Sequence, residues 1–244
     1  MTGARSGDDR VIPSRLEAVV FDFDGVIIDS ETPEYEAYRT LFEQAGSQLP
    51  VDEWTSQVGI WADDQDLVWH QRLCGRCRTP PTLEYFRLEK RRLFAERLPL
   101  PAMSGIEELL DALVAESIPI GIASSSPARW VMSAAARLGI AGRIQAIVTA
   151  DDVAKRKPEP DVYLEASRRL GVRPACTVAI EDSGPGIAAA LAAGLKTVVI
   201  PHWLTDRHDL TAAHLRVSRA ADVTVSRLRA LVTGEAGQQS VPIR

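Results

Sequence analysis

Ala18-Val19-Val20-Phe21-Asp22-Phe23-Asp24-Gly25 is the stretch on which the fold reading turns. Its four apolar residues show no polar alternation, which suits a strand buried on both faces, as in a parallel sheet. The run stops on a carboxylate. The same pattern recurs downstream: 118–123 ends at Ser124, 144–148 ends near Thr149 and Asp151, 177–180 ends at Glu181-Asp182, and 197–200 ends at Pro201. Helical spacing fills the intervals. Ile106, Leu109, Leu110, Leu113 and Val114 share one face; Tyr163, Leu164, Ser167 and Leu170 share another before a stop at Gly171; an Ala-rich segment from Ile187 ends at Gly194. Strands alternating with helices imply an α/β fold built on a doubly wound parallel sheet.

Residues 31–100 break this rhythm. Helical stretches are expected near 33–45, 63–73 and 83–98, with no buried strand, and Trp54, Trp61 and Trp69 lie among them. Pro99-Leu100-Pro101 reads as a stiff return linker. The expected organisation is a flexible tail at 1–15, an α/β core of 16–30 and 101–232, an inserted small α-helical cap at 31–100, and a second tail at 233–244. An insert held by two connections can open and close over a site and exclude water.

With 45% hydrophobic and 25% charged residues, the 244-residue chain has ample material for a globular core. The net charge of −5 and the lack of a basic stripe argue against nucleic acid. Lys90-Arg91-Arg92 sits among Glu84, Glu89 and Glu96 and reads as a solvated helix face. The first 15 residues hold no apolar core, and no apolar run approaches the ~18–20 residues of a membrane span. The expectation is therefore a cytoplasmic protein with no membrane or nucleic-acid partner, a monomer or weak dimer. Cys74-Gly75-Arg76-Cys77 lacks the second ligand pair of a zinc site, so its thiols are expected to be free. The four histidines show no ligand spacing.

In open α/β sheets, ligands bind beyond the carboxyl ends of the strands. Asp22, Ser124, Asp151 and the Glu181-Asp182 pair stand at those ends, and Lys157 follows the third run. Several converging carboxylates repel unless a cation lies among them, and oxygen ligands favour a hard ion such as Mg²⁺. Carboxylates with one lysine and one serine suit phosphoryl transfer. Gly25 permits a tight turn that could return Asp24 over the same site, where it could serve as a general acid/base beside an Asp22 acceptor. Gly184-Pro185-Gly186-Ile187-Ala188-Ala189 also spells a dinucleotide signature, but Pro201 and His202 stand where the acidic residue closing the next strand is required.

Four segments together carry a family resemblance. Phe21-Asp22-Phe23-Asp24-Gly25-Val26, Ile122-Ala123-Ser124-Ser125, Lys157-Pro158-Glu159-Pro160-Asp161 and Glu181-Asp182-Ser183-Gly184-Pro185-Gly186-Ile187 resemble, in order, the four motifs of the haloacid dehalogenase superfamily. The helical insert resembles the cap of its beta-phosphoglucomutase-like branch. The resemblance implies that Asp22 is the nucleophile and a metal ligand, and that Asp24 is the general acid/base with its backbone carbonyl on the metal. It further implies that Ser124, the Ser125 backbone N–H and Lys157 bind phosphate, and that Asp182 and Glu181 ligate Mg²⁺, Glu181 directly or through water. Lys155 competes only weakly with Lys157, which alone directly precedes the Pro-x-Pro-Asp run.

Asp24 favours phosphate chemistry, since dehalogenases of this superfamily lack that residue. Mutases of the branch carry a cap His and a cap Arg where this chain places Glu34 and Ala62. The expected activity is therefore hydrolysis of a small phosphomonoester, a sugar phosphate by family analogy. A sugar-phosphate mutase and a non-catalytic regulatory or binding module stand as alternatives. Glu34 and Trp61 are the candidate specificity residues. The other tryptophans, Trp130 and Trp203 included, are expected to be core packing.

Overall fold

The computed structural model describes residues 15–58 and 64–235. β1 (Ala18–Phe21), β2 (Ile120–Ala123), β3 (Ala146–Val148), β4 (Thr177–Glu181), β5 (Lys196–Val199) and β6 (Leu215–Arg216) form one sheet in the order β3-β2-β1-β4-β5-β6. All five pairings are parallel. The two-residue β6 has no sequence signal, being too short for any periodicity.

Alternate strand residues face opposite layers. Val19, Phe21, Ile120, Ile122, Val178 and Ile180 pack with α5 (Ile106–Ala115), α6 (Ala128–Arg137) and α9 (Val225–Thr233). Val20, Ala123, Val148 and Ala179 pack with α7 (Asp161–Leu170) and α8 (Gly184–Ala192). Two residues expected on buried helix faces are exposed instead, Val114 at 48% and Leu164 at 44%. Each follows a buried residue by one position, and one step turns about 100° around the helix axis.

Between β1 and β2 lie α1 (Glu31–Gln44), α2 (Val51–Thr55), α3 (Gln65–Cys74) and α4 (Leu83–Ala95). The five-residue α2 was not foreseen. These helices have an aromatic core of their own, with Tyr35, Tyr38, Phe42, Trp54, Trp69 and Phe86, in which Trp54 stacks on Trp69 at 4.9 Å. The expected packing role of these two tryptophans therefore holds. Both connections to the sheet run side by side: Ile28 bridges Ala102, and Met103 N–H donates to the Ile27 carbonyl at 2.8 Å. A third link comes from the segment after β5. Leu204 is buried in the insert core, Arg207 pairs with Asp52, and His208 accepts from Gly184 N–H and donates to the Thr55 carbonyl at 2.8 Å.

Candidate active site

The chain leaves β1 for β2 and β3 on one side, then returns to β4 on the other. Winding reverses between β1 and β4, and the carboxyl ends there are where open sheets hold ligands. Asp22 follows β1, Glu181 closes β4, and Asp182 follows it. Ligand oxygens of these three buried carboxylates lie within 4.8 Å of one another. Two glycines permit that approach. A Cβ on Gly25, at φ +86°, would sit 2.5 Å from Asp182 Oδ2, and one on Gly186 would collide with the Glu181 carboxylate.

Lys157 Nζ reaches both sides of the switch point, donating to Asp22 Oδ1 at 2.6 Å and Glu181 Oε1 at 2.7 Å. Tyr163 donates to the same Glu181 oxygen at 2.5 Å, and Thr205 Oγ1 donates to Asp182 Oδ2 at 3.0 Å. Asp24 takes three hydrogen bonds: Ser30 Oγ and Trp130 Nε1 on Oδ1 at 2.6 and 2.9 Å, and Ser126 Oγ on Oδ2 at 2.6 Å. Ser124 Oγ accepts from Ser126 N–H at 3.0 Å, whereas Ser125 Oγ is buried without a partner. Asp22, Asp24, Ser30, Ser124, Ser125, Ser126, Trp130, Lys157 and Asp182 line one cavity of about 260 Å³, below the roughly 300–1,000 Å³ of sites for larger ligands. The insert closes its far side with Glu31, Glu34, Trp54, Gln57, Lys90 and Phe94.

The cluster carries more negative charge than it neutralises. Burial, reinforced by Glu181 and Asp24, pushes the Asp22 carboxyl up to about 7 even though Lys157 draws it down. Burial, then Asp22 and Glu181, raise Asp182 well above the carboxylate range. Burial opposes the Lys157 charge, but Asp22 and Glu181 outweigh it and hold the ammonium above its ordinary value. Three crowded carboxylates offering only oxygen donors fit a hard divalent cation such as Mg²⁺.

The model of the haloacid dehalogenase-like hydrolases matches residues 16–194. This chain belongs to that family. Among relatives of this hydrolase, YhcW of Bacillus subtilis, a provisionally named phosphatase, is 38% identical over 78% of the chain and 86% of the relative. The beta-phosphoglucomutase of Bacillus subtilis is 31% identical over 87% and 94%. The crystal structure of beta-phosphoglucomutase from Clostridium difficile, 24% identical, superposes with a TM-score of 0.71 over 90% of this chain and 98% of that one, which shows a shared fold.

In this hydrolase Asp22, Asp24, Ser124, Ser125, Lys157, Asp182 and Glu34 line the cavity, with Glu181 buried directly beneath it. Trp61 and Ala62 lie outside the described residues. Asp151 does not join the carboxylates: it is exposed and accepts from Ala128 N–H at 2.9 Å at the start of α6, a local capping task. Lys90 overturns the expected solvated face. Its side chain is 17% exposed, turned into the cavity and paired with Glu34 at 2.5 Å, while Arg92 on the same helix stays outside. Trp130 is a donor to Asp24 as well as a packing residue, and Trp203 is 49% exposed. Sequence reasoning missed Ser30, Ser126, Trp130, Tyr163 and Thr205. The run Ser124-Ser125-Ser126 was a usable signal for Ser126, and Ser30 lies only six residues after its partner Asp24; Trp130, Tyr163 and Thr205 have no such signal, because their partners are distant in sequence.

Proposed function

We propose that this hydrolase is a Mg²⁺-dependent phosphatase that cleaves a small phosphomonoester through an aspartyl-phosphate on Asp22. The observation that carries the reading is the carboxylate cluster at the switch point, with Lys157 across Asp22 and Glu181 and the buried, unpartnered Ser125 hydroxyl beside it. Asp22, Asp182 and Glu181, with the Asp24 carbonyl, would hold the ion. When bound, it would offset phosphate charge and act as a Lewis acid.

Lys157 fixes Asp22 through Oδ1 and lends positive charge to the phosphoryl oxygens. Ser124 and the Ser125 N–H bind the transferring group. Asp22 attacks phosphorus as the bond to the leaving oxygen breaks, and Asp24 protonates that oxygen. Asp24 then takes a proton from the water that opens the aspartyl-phosphate. Its partners suit both steps. An indole N–H can only donate, so Trp130 keeps Oδ1 an acceptor, whereas the Ser126 hydroxyl can reverse and accept when Oδ2 carries the proton.

Helices α1–α4 act as a cap, assigned to 31–100, whose polar side chains meet the leaving group. The cavity volume suits a sugar-sized phosphate ester. Three free thiols fit the cytoplasm as the place of action.

The test is phosphate release from p-nitrophenyl phosphate and a panel of sugar phosphates with and without Mg²⁺. Release should require the ion, and Asp22→Asn should lower kcat at least ~10³-fold. Unchanged turnover in that variant would end the mechanism. The likeness to beta-phosphoglucomutase favours a second reading, a mutase, which predicts isomerisation of a sugar phosphate without net phosphate release.

A further inference from the structure

The insert side of the cavity carries a cation that is already spoken for. Lys90 Nζ lies 2.5 Å from Glu34 Oε1 and over the rings of Tyr38 and Phe94, at 5.2 and 5.6 Å from their centroids. Burial opposes its charge, but Glu34 outweighs burial and holds the ammonium above its ordinary value. Among the described residues lining the cavity, Lys90 and Lys157 are the positive side chains and no arginine is present. The undescribed stretch Gly59-Ile60-Trp61-Ala62-Asp63 adds no Lys or Arg. Lys157 is engaged by Asp22 and Glu181. A second phosphate entering with the leaving group would therefore face the Glu34 carboxylate without a free cation. Like charges brought together in a desolvated site are a strong device against the wrong partner.

We infer that Glu34 masks Lys90, so that the site selects monophosphates with a neutral, hydroxyl-rich leaving group and rejects bisphosphates of the same sugar. This inference rests on the phosphatase reading. The Glu34 carboxylate accepts hydroxyl hydrogen bonds, which a neutral polyol supplies and a phosphate dianion cannot. Removing the Glu34 charge should unmask Lys90 as an anion-binding group.

The experiment compares kcat/KM for fructose 6-phosphate and fructose 1,6-bisphosphate with the full chain and Mg²⁺. The wild type should prefer the monophosphate at least about tenfold, and Glu34→Gln should raise the bisphosphate-to-monophosphate ratio about tenfold or more. Adding Lys90→Met to Glu34→Gln should abolish that gain. Because each variant is scored by a ratio, partial misfolding does not imitate the result. A wild type that uses the bisphosphate equally well, an unchanged ratio in Glu34→Gln, or a gain that survives the loss of Lys90 would each overturn the inference. Absence of phosphate release from every ester would instead remove the phosphatase reading. The masking is then decided by calorimetric binding of the same two esters, with the same ratios expected.

Discussion

The two walls of the cavity are held by different means. On the sheet wall, Asp22, Lys157, Glu181, Tyr163, Asp182 and Thr205 are all buried and joined by direct hydrogen bonds. They stand on strand ends and on the loops that leave them, apart from Tyr163, which comes from α7. On the insert wall, the charged groups are the Glu34–Lys90 pair, set among aromatic rings on helices with a core of their own. Each of the six sheet-wall side chains has a direct hydrogen-bond partner within its group. The two sets of side chains are thus packed in different parts of the fold, and each can be perturbed by its own substitutions.

The largest effect that would sharpen this contrast comes from Lys157→Met. It leaves Asp22 and Glu181 buried without their counter-ion, so the variant should be about 3–5 kcal/mol less stable in urea denaturation at neutral pH. It should also lose at least ~10²-fold in kcat, as when one preorganised donor to a developing charge is removed. A Lys157 variant with normal stability would show that the sheet wall is not the locked network described. Thr205→Val should act more gently. Loss of the hydroxyl that orients Asp182 should weaken Mg²⁺ binding roughly 10-fold by calorimetry, with Thr205→Ser restoring it. Equal affinity in all three proteins would break the link between Thr205 and the ion site.

The smallest effect concerns pH. Asp22 sits near pKa 7 in the fold, against about 4 for an unfolded carboxyl. The folded state therefore binds more protons than the unfolded one between those values. This group's contribution to the stability of the ion-free protein is full below pH 4 and is lost as pH rises through 7. Mg²⁺ competes with those protons, so saturating MgCl₂ should raise Tm more at pH 8 than at pH 5.5, by about 2–4 °C. A larger shift at pH 5.5 would contradict the proton-competing cluster.

The sheet wall was legible in the sequence because a parallel strand writes itself as an uninterrupted apolar run, and the residue that ends the run inherits a fixed place at the sheet edge. Asp22, Ser124, Glu181 and Asp182 were found that way. Asp151 shows the limit of the rule: it too ends a run, but it turns outward to cap α6. The insert wall was far less legible. Lys90 reads as one of three consecutive basic residues, and only the packing of α4 against α1 decides that it alone points inward.

The sequence by itself determined the α/β class, the strand ends, the helical interruption and which carboxylates gather at those ends as candidate reacting groups, since each depends on local periodicity or on residues adjacent in the chain. Tertiary structure alone decided which side chains hold those groups. Trp130 reaches Asp24 across 106 positions and Thr205 reaches Asp182 across 23. A hydrogen bond between distant segments leaves no periodic trace in either. It exists because the folded sheet brings their ends within reach.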